Sequence, residues 1–442
     1  MNREEVKAKV CAAIDAHRDE IMAIGESIFA DPELGYKEFN AAAKVRAVFE
    51  ELGLAYRDQV ALTGVVAPLK GRESTLRIAV MGELDAVVAP GHRCAHPLTG
   101  AAHSCGHNAQ IAALIGVAYG LVTSGAMEEL NGDVVLMAVP AEEYVEIEYR
   151  NKLRNEGKIT FLGGKQEFVH LGEMDEIDMM IMHHLTPTTD SADGLAVKAR
   201  VGGGSNGFVG KLIRYLGKEA HAGGAPHMGV NALNAALLGM MAIHAQRETF
   251  QDKDHIRVHP IMTKGGDLVN VIPADVRLET YVRGATMEAI LDASKKVNRA
   301  LESGAMAVGA ECQIIELPGY LPLLNDPAMT DVMYRNLVAL LGADHVKVSN
   351  DAGGGSTDAG DISYLMPTLH PYIGGAEGIG HSENYEITDR ELAYIVSAKA
   401  LAMAVVDLLA EGAELGLRIK NEFKPTLTKE GYLAMWDEFV TK

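Results

Sequence analysis

Two stretches decide the fold class: LRIAVMGELDA (residues 76–86) and GDVVLMAVPAEE (132–143). Each is an apolar run that closes on acidic residues. Apolar runs of this length without alternation read as strands buried on both faces, the habit of parallel sheets. Between them, AAHSCGHNAQIAALIGVAYGL (101–121) reads as a loop feeding an apolar helix. VVAPLKG (65–71) and IDMMIMHHLTP (177–187) read as further strands. Strand, helix, strand in this rhythm predicts an α/β domain, a mixed sheet with helices on both faces. Sheets of this kind place their chemistry at the carboxyl ends of strands. Asp85, Glu142, Glu143 and His184 all fall at such ends.

Working outward, residues 3–54 read as helices, with Val6, Val10 and Ile14 at helical spacing and ADPELGYKEF (30–39) as a turn. The character changes near residue 203. FVGKLIRYLG (208–217) reads as a strand. MGVNALNAALLGMMAIHAQRETF (228–250) is a helix, with Leu233, Leu237 and Met241 on one face that is expected to be core. HIRVHPIMTKG and VRLETYVRGA are two strands, TMEAILDASKKVNRALESGA is a helix and ECQIIELPG a last strand. That β-α-β-β-α-β order is the ferredoxin-like arrangement. The expected division is therefore a discontinuous catalytic domain, 1–202 and 316–442, with an inserted lid or dimerisation domain at 203–315. ARVGGGSNGFVG (199–210) contains a G-x-G-x-x-G, but a strand follows where a nucleotide site needs a helix, so it reads as a flexible linker. DAGGGSTDAGD (351–361) lacks the Lys-Ser or Lys-Thr of a phosphate loop and reads as a tight loop near the site.

The 442 residues are 48% hydrophobic and carry a net charge of −20. That charge argues against nucleic acid or an anionic membrane surface as partner, though not against a small anionic substrate. The start, MNREEVKAKV, is charged where a signal peptide would be apolar, and no window reads as a membrane span. Cys11, Cys94, Cys105 and Cys312 have no framework-like spacing, so the cytoplasm is the expected location.

Four clusters can carry chemistry: HSCGH (103–107), PAEE (140–143), MHHL (182–185) and GHSENYE (380–386). Together they offer a thiol, imidazoles and carboxylates, a ligand set for two divalent ions sharing a bridging group. Thiolate and imidazole suit zinc, with Mn, Co or Ni also compatible. Residue types alone leave the plainer reading equally open: a buried core cysteine beside solvated glutamates.

The ordered set of motifs resembles the dinuclear metallopeptidases of aminoacylase and carboxypeptidase G type. The resemblance is nearest to the branch of hippurate hydrolase, auxin-conjugate hydrolases and aminobenzoyl-glutamate hydrolase. It is carried by DPELGYKE, GELDA, HSCGHN, PAEE, GKEAHAGGAPHMGVNAL, GGDLVNVIPADVRLETYVRGAT, GSTDAGDIS and GHSE, spread over nearly the whole chain. It implies a metal-dependent amidohydrolase with two divalent ions per subunit. Cys105 would bridge the ions, and His107, Glu143, His184 and His381 would complete the ligand set. Glu142 would be the general base for a metal-activated water, and Asp85 would orient a ligand. His221 of the partner subunit would reach the developing oxyanion in a homodimer formed through the inserted domain. Asn270 and Arg283 would hold a substrate carboxylate or carbonyl. The implied substrate is an N-acyl or aroyl amino acid. A dipeptidase with the same ligands is an alternative, and a degenerate metal-binding protein is an alternative of another class.

Three departures stand out. CGHNAQ puts Asn108 and Gln110 where many members carry an acid and a histidine. MHHL offers both His183 and His184, of which only one can face the metal if the segment is a strand; His184, three before Pro187, has the family spacing. The charged segment after the glutamates, 142–167, is an extension expected to shape the substrate pocket.

Overall fold

The computed structural model describes residues 1–190 and 195–440. A first sheet of six strands has the order Arg57–Val60, Gly64–Leu69, Asp133–Val139, Arg77–Glu83, Met179–Ile181, Thr368–Leu369. Asp133–Val139, Arg77–Glu83, Met179–Ile181 and Thr368–Leu369 run parallel, and Gly64–Leu69 is antiparallel to both of its neighbours, Arg57–Val60 and Asp133–Val139. Asp133–Val139 is buried at every position, as its unbroken apolar run requires. The helices Arg3–Ala16, Arg18–Phe29, His107–Thr123 and Ser397–Leu409 pack together in one core with this sheet. The other face is covered by Phe161, Phe168, Ile362 and Trp436. The mixed sheet with helices on both faces is thus present.

His107–Thr123 is buried from His107 through Leu121. A helix apolar all round belongs in a core. The same logic corrects the expectation that no segment is apolar enough to span a bilayer. Glu391–Leu409 has that length and a mean hydropathy of 1.9, but 89% of the window is buried inside the fold. It is a core helix because it packs against His107–Thr123 and Arg3–Ala16.

A second six-stranded sheet joins Ala199–Ser205, Leu323–Leu324, Val346–Gly353, Tyr372–Glu377, Glu386–Ile387 and His184–Pro187. Two expectations change here. The segment 177–187 is not one strand: Met179–Ile181 ends in the first sheet, and His184–Pro187 begins in the second. The glycine run is not a linker but the strand Ala199–Ser205, paired in parallel with Val346–Gly353 through an irregularity between Gly202 and Gly204. Gly202 has φ 79° and Gly203 has φ 68°, conformations that glycine adopts at little cost.

A third sheet of five strands contains Gly207–Leu216, Asp275–Gly284, Glu311–Tyr320, Arg257–Val258 and Ile261–Lys264. The helices Ala232–Ala245 and Met287–Val308 pack on it in β-α-β-β-α-β order. Thr286 caps the second helix through the Ala289 N–H, and Gly309 closes it at φ 74°. The chain enters this sheet after Asn206 and leaves it at Tyr320.

Of the expected core face of the first of these helices, Leu233 is half-buried against the core and the other two residues point outward. A Cβ on Gly304 would stand 2.3 Å from the Ala235 carbonyl, and one on Gly239 would stand 3.3 Å from Leu301 Cα. The two helices therefore meet through small residues, Ala232, Ala235, Ala236 and Gly239. The bulky face is left outward, with Leu237 45% and Met241 68% exposed.

Candidate active site

The site forms where the strand ends of the first sheet meet loops of the second. Gly106 makes the loop possible. It has φ 90°, and a Cβ there would lie 2.5 Å from Tyr385 Oη and 3.0 Å from Leu185 Cβ. This turn lets Cys105 and His107 face the same space. The His107 Nδ1–H donates to the Asp85 carbonyl at 2.9 Å. The Asp85 carboxylate accepts from the backbone N–H groups of Glu142 (3.1 Å) and Glu143 (2.9 Å). One buried aspartate thus orients an imidazole and both glutamates.

The glutamates are aimed by a strained residue before them. Ala141 has φ 57°, a conformation costing a non-glycine residue about 1–3 kcal/mol. Its N–H donates to Glu38 at 2.8 Å, and its carbonyl accepts from Arg150 at 3.0 Å. A Cβ on Gly35 would lie 2.9 Å from Ala141 Cα, so the GYKE turn can only close with glycine. This gives the N-terminal motif its physical reason: it clamps the strand end that carries Glu142 and Glu143.

His184 Nε2 stands 3.3 Å from Cys105 Sγ, and the His184 Nδ1–H donates to the Leu185 carbonyl at 2.6 Å. His381 Nε2 stands 3.2 Å from the same sulfur and 3.1 Å from Glu143 Oε1. Cys105, His107 and His184 form one group with ligand atoms within 4.8 Å of one another; Cys105, Glu143 and His381 form another. Cys105 belongs to both. His183 is buried elsewhere with neither ring nitrogen hydrogen-bonded among the described residues, and burial holds it neutral at about 3.

The electrostatics favour cations. Burial and Glu143 push the Cys105 thiol up, but His184 and His107 outweigh them and bring it to about 6. Burial opposes the Glu143 charge, and His381 reverses that, to about 2. Glu143 in turn holds His381 up at about 11. Glu142 is pushed well up by burial and by its neighbours Glu83 and Glu143. A thiolate is the form that binds metal.

The donor set fits a divalent metal for a further reason. Both His107 and His184 turn Nδ1–H to a backbone carbonyl, so in the neutral ring Nε2 is the atom that would offer a lone pair to a metal. Among the described residues, His107 Nε2 and Glu143 Oε1 are buried without a well-formed hydrogen bond, and each faces another charged group instead, Glu83 Oε2 at 3.0 Å and His381 Nε2 at 3.1 Å. Buried acceptors with no donor are costly unless a cation shares them.

Cys105, Glu142, Glu143, His184 and His381 line a cavity of about 430 Å³, together with Tyr144, Phe208, Tyr281, Arg283, Tyr320 and His370. Arg283 lies over the rings of Tyr281 and Phe208, at 5.3 and 6.0 Å. His221 and Asn270 are not in this cavity. They sit together on the surface of the third-sheet unit, where the Ala222 N–H donates to the Asn270 carbonyl at 2.9 Å. The departures find roles as well. Asn108 donates to the Gly25 carbonyl inside the core, and Gln110 donates to Glu83 at 2.6 Å. Sequence reasoning missed Glu83, Lys165, Asp358 and Arg150. Glu83 had a signal, since it stands two residues before Asp85 on the same strand end.

Residues 79–405 match peptidase family M20/M25/M40, and the chain belongs to that family. It is 28% identical to an Xaa-Arg dipeptidase of Mus musculus, covering 97% of this chain and 95% of that one. It is 25% identical to an IAA-amino acid hydrolase (ILR1-like 4) of Arabidopsis thaliana, covering 86% and 84%. Its fold matches Bacillus subtilis YXEP, described as a dinuclear metal-binding peptidase, with TM-score 0.63 at 21% identity over 89% and 99% of the two chains. The chain is a hydrolase acting on amide bonds.

Proposed function

We propose that this hydrolase cleaves the amide bond of a small substrate with a free carboxylate on its leaving amino acid, using two divalent cations per subunit. The carrying observation is the convergence of His184 and His381 on the Cys105 sulfur, beside Glu142 and Glu143. Cys105, His107, Glu143, His184 and His381 are the residues that would hold the ions. When bound, the ions supply Lewis acidity to a water and to the substrate carbonyl.

Glu142 is the remaining carboxylate on the cavity. Cations held by its neighbours would favour its ionised form against the burial and the carboxylates that push its carboxyl up, and in that form it would accept a proton from the attacking water and deliver it to the departing amine. Its backbone is fixed by Asp85, and its carbonyl accepts from Tyr320 Oη at 2.5 Å. Arg283 suits the substrate carboxylate, because its planar fork binds two oxygens. A cavity of this volume fits a dipeptide or an N-acyl amino acid.

The third-sheet unit, 203–315 by the boundaries above, serves as lid and dimer interface in this proposal. It exposes Leu237, Met241, Leu268 and Val269, the last fully. Apolar surface of this kind suits a second copy. The dimer would carry the partner subunit's His221 and Asn270 to the substrate.

Near end-to-end similarity to a dipeptidase favours a dipeptide substrate. The aromatic wall of Tyr144, Phe208, Tyr281 and Tyr320 favours an N-acyl or aroyl amino acid as the second reading. Hydrolysis of dipeptides and of their N-acylated counterparts by metal-loaded protein, followed by amine release, separates them. Faster turnover with a free α-amino group supports the first, and cleavage only of blocked substrates supports the second. No hydrolysis of either series would overturn the proposal.

A further inference from the structure

We propose that Glu83 is a further cation-binding residue of this site, sharing the ion at His107, and that the buried Lys165 is the positioning residue that holds it there. The inference rests on the dinuclear reading above and deepens it.

Glu83 closes the strand Arg77–Glu83 and is 1% exposed. Its carboxylate is pinned at both oxygens. Oε1 accepts from Lys165 Nζ at 2.5 Å, and Oε2 accepts from Gln110 Nε2 at 2.6 Å. The Glu83 N–H also donates to Gln110 Oε1 at 3.2 Å. So held, Oε2 lies 3.0 Å from His107 Nε2. In the neutral ring, whose proton faces the Asp85 carbonyl, that nitrogen carries a lone pair. Two acceptors at this distance repel in a site that excludes water. A positive charge between them removes the conflict: a proton in the metal-free chain, where burial opposes the charge but Glu83 outweighs it and holds His107 well above the usual imidazole range, and a cation when one is bound. Glu83, His107 and Glu142 place oxygen and nitrogen atoms within 4.8 Å of one another, so an ion shared by Glu83 and His107 would stand beside the proposed base.

Lys165 is built to keep Glu83 in this pose. It is wholly buried on the helix Gly164–Leu171. Its Nζ also meets Asp358 Oδ1 at 2.5 Å, and its N–H donates to Asp358 Oδ2 at 2.8 Å. The helix can approach this closely only because residue 164 is glycine: a Cβ there would stand 1.8 Å from the Pro140 carbonyl. One lysine between two carboxylates leaves a net negative charge, directed at the cluster through Glu83 Oε2. Asp358 adjoins Thr357 and Ser356, which line the cavity, so the same lysine ties the site to its wall.

The test uses Glu83→Gln, which keeps shape and leaves the Lys165–Asp358 pair intact. Zn²⁺ affinities of the full chain are measured in competition with a chromophoric chelator, alongside the melting temperature of the metal-free protein. Wild type is expected to bind two ions. Glu83→Gln is expected to weaken one by at least tenfold and leave the other unchanged, and Lys165→Met to weaken the same one. Glu83→Asp, which withdraws the oxygen by one methylene, gives the same result should the Gln variant not fold. Unchanged affinities in a folded Glu83 variant, with or without a lower melting temperature, would overturn the proposal and leave a purely structural ion triad. A wild type that binds no Zn²⁺ would instead overturn the dinuclear reading itself, and this proposal with it.

Discussion

His381 Nε2 stands 3.2 Å from Cys105 Sγ, although 276 residues separate the two in the chain. His381 has φ 62°, a conformation a histidine holds only when the surroundings impose it. Its N–H donates to the Ser104 carbonyl at 2.8 Å, which ties the two loops together. With the sulfur in contact with two imidazoles, Cys105→Ser should fold normally and lose about 100-fold or more in affinity for divalent metal. Metal analysis after dialysis against a weak chelator checks this.

Glu142→Gln should retain metal, because its neighbours supply the ligand atoms. It should lower kcat by about 10²–10⁴-fold, the range for removing a general base. Steady-state kinetics together with metal content separate this from simple loss of the ions.

Arg283→Ala should raise KM for substrates with a free carboxylate by about 10–100-fold, matching a charged hydrogen bond of about 1.5–3 kcal/mol. Substrates with an amidated terminus should lose much less. Arg283→Lys should recover only part of the difference, because lysine lacks the planar fork.

Asp361 gives a pH-dependent prediction away from the metal. Burial pushes its carboxyl from 3.8 up to about 8, against hydrogen bonds from Gln166, Tyr432 and the Leu321 N–H. Between these values the folded chain keeps a proton that the unfolded chain has released. Stability from this group is therefore complete below pH 4 and lost as pH rises through about 8. Asp361→Asn should flatten that slope, with a difference on the order of a few kcal/mol between pH 4 and 8. Denaturant unfolding of both proteins across that range measures it.

Much of this was legible in the sequence, for physical reasons. Apolar runs such as 133–139 can only be buried strands, and a thiol and imidazoles flanking a glycine leave few arrangements. Other features depend on partners far along the chain. The outward face of Ala232–Ala245 could not be read, because Gly239 and Gly304 decide it by close approach. Lys165 looked like one charge in a charged extension, yet it is buried because Glu83 and Asp358 arrive from elsewhere. The split of 177–187 between two sheets leaves no local trace, since it is decided by partner strands far along the chain, Arg77–Glu83 for the first half and Tyr372–Glu377 for the second.

The most direct test of the account is turnover of a dipeptide by the same preparation before chelation, after it, and after Zn²⁺ or Mn²⁺ is restored, with bound metal counted at each stage. The account predicts two ions per chain, loss of hydrolysis with their removal and its return with their replacement. Full turnover by metal-free protein, or failure to bind two ions, would contradict it.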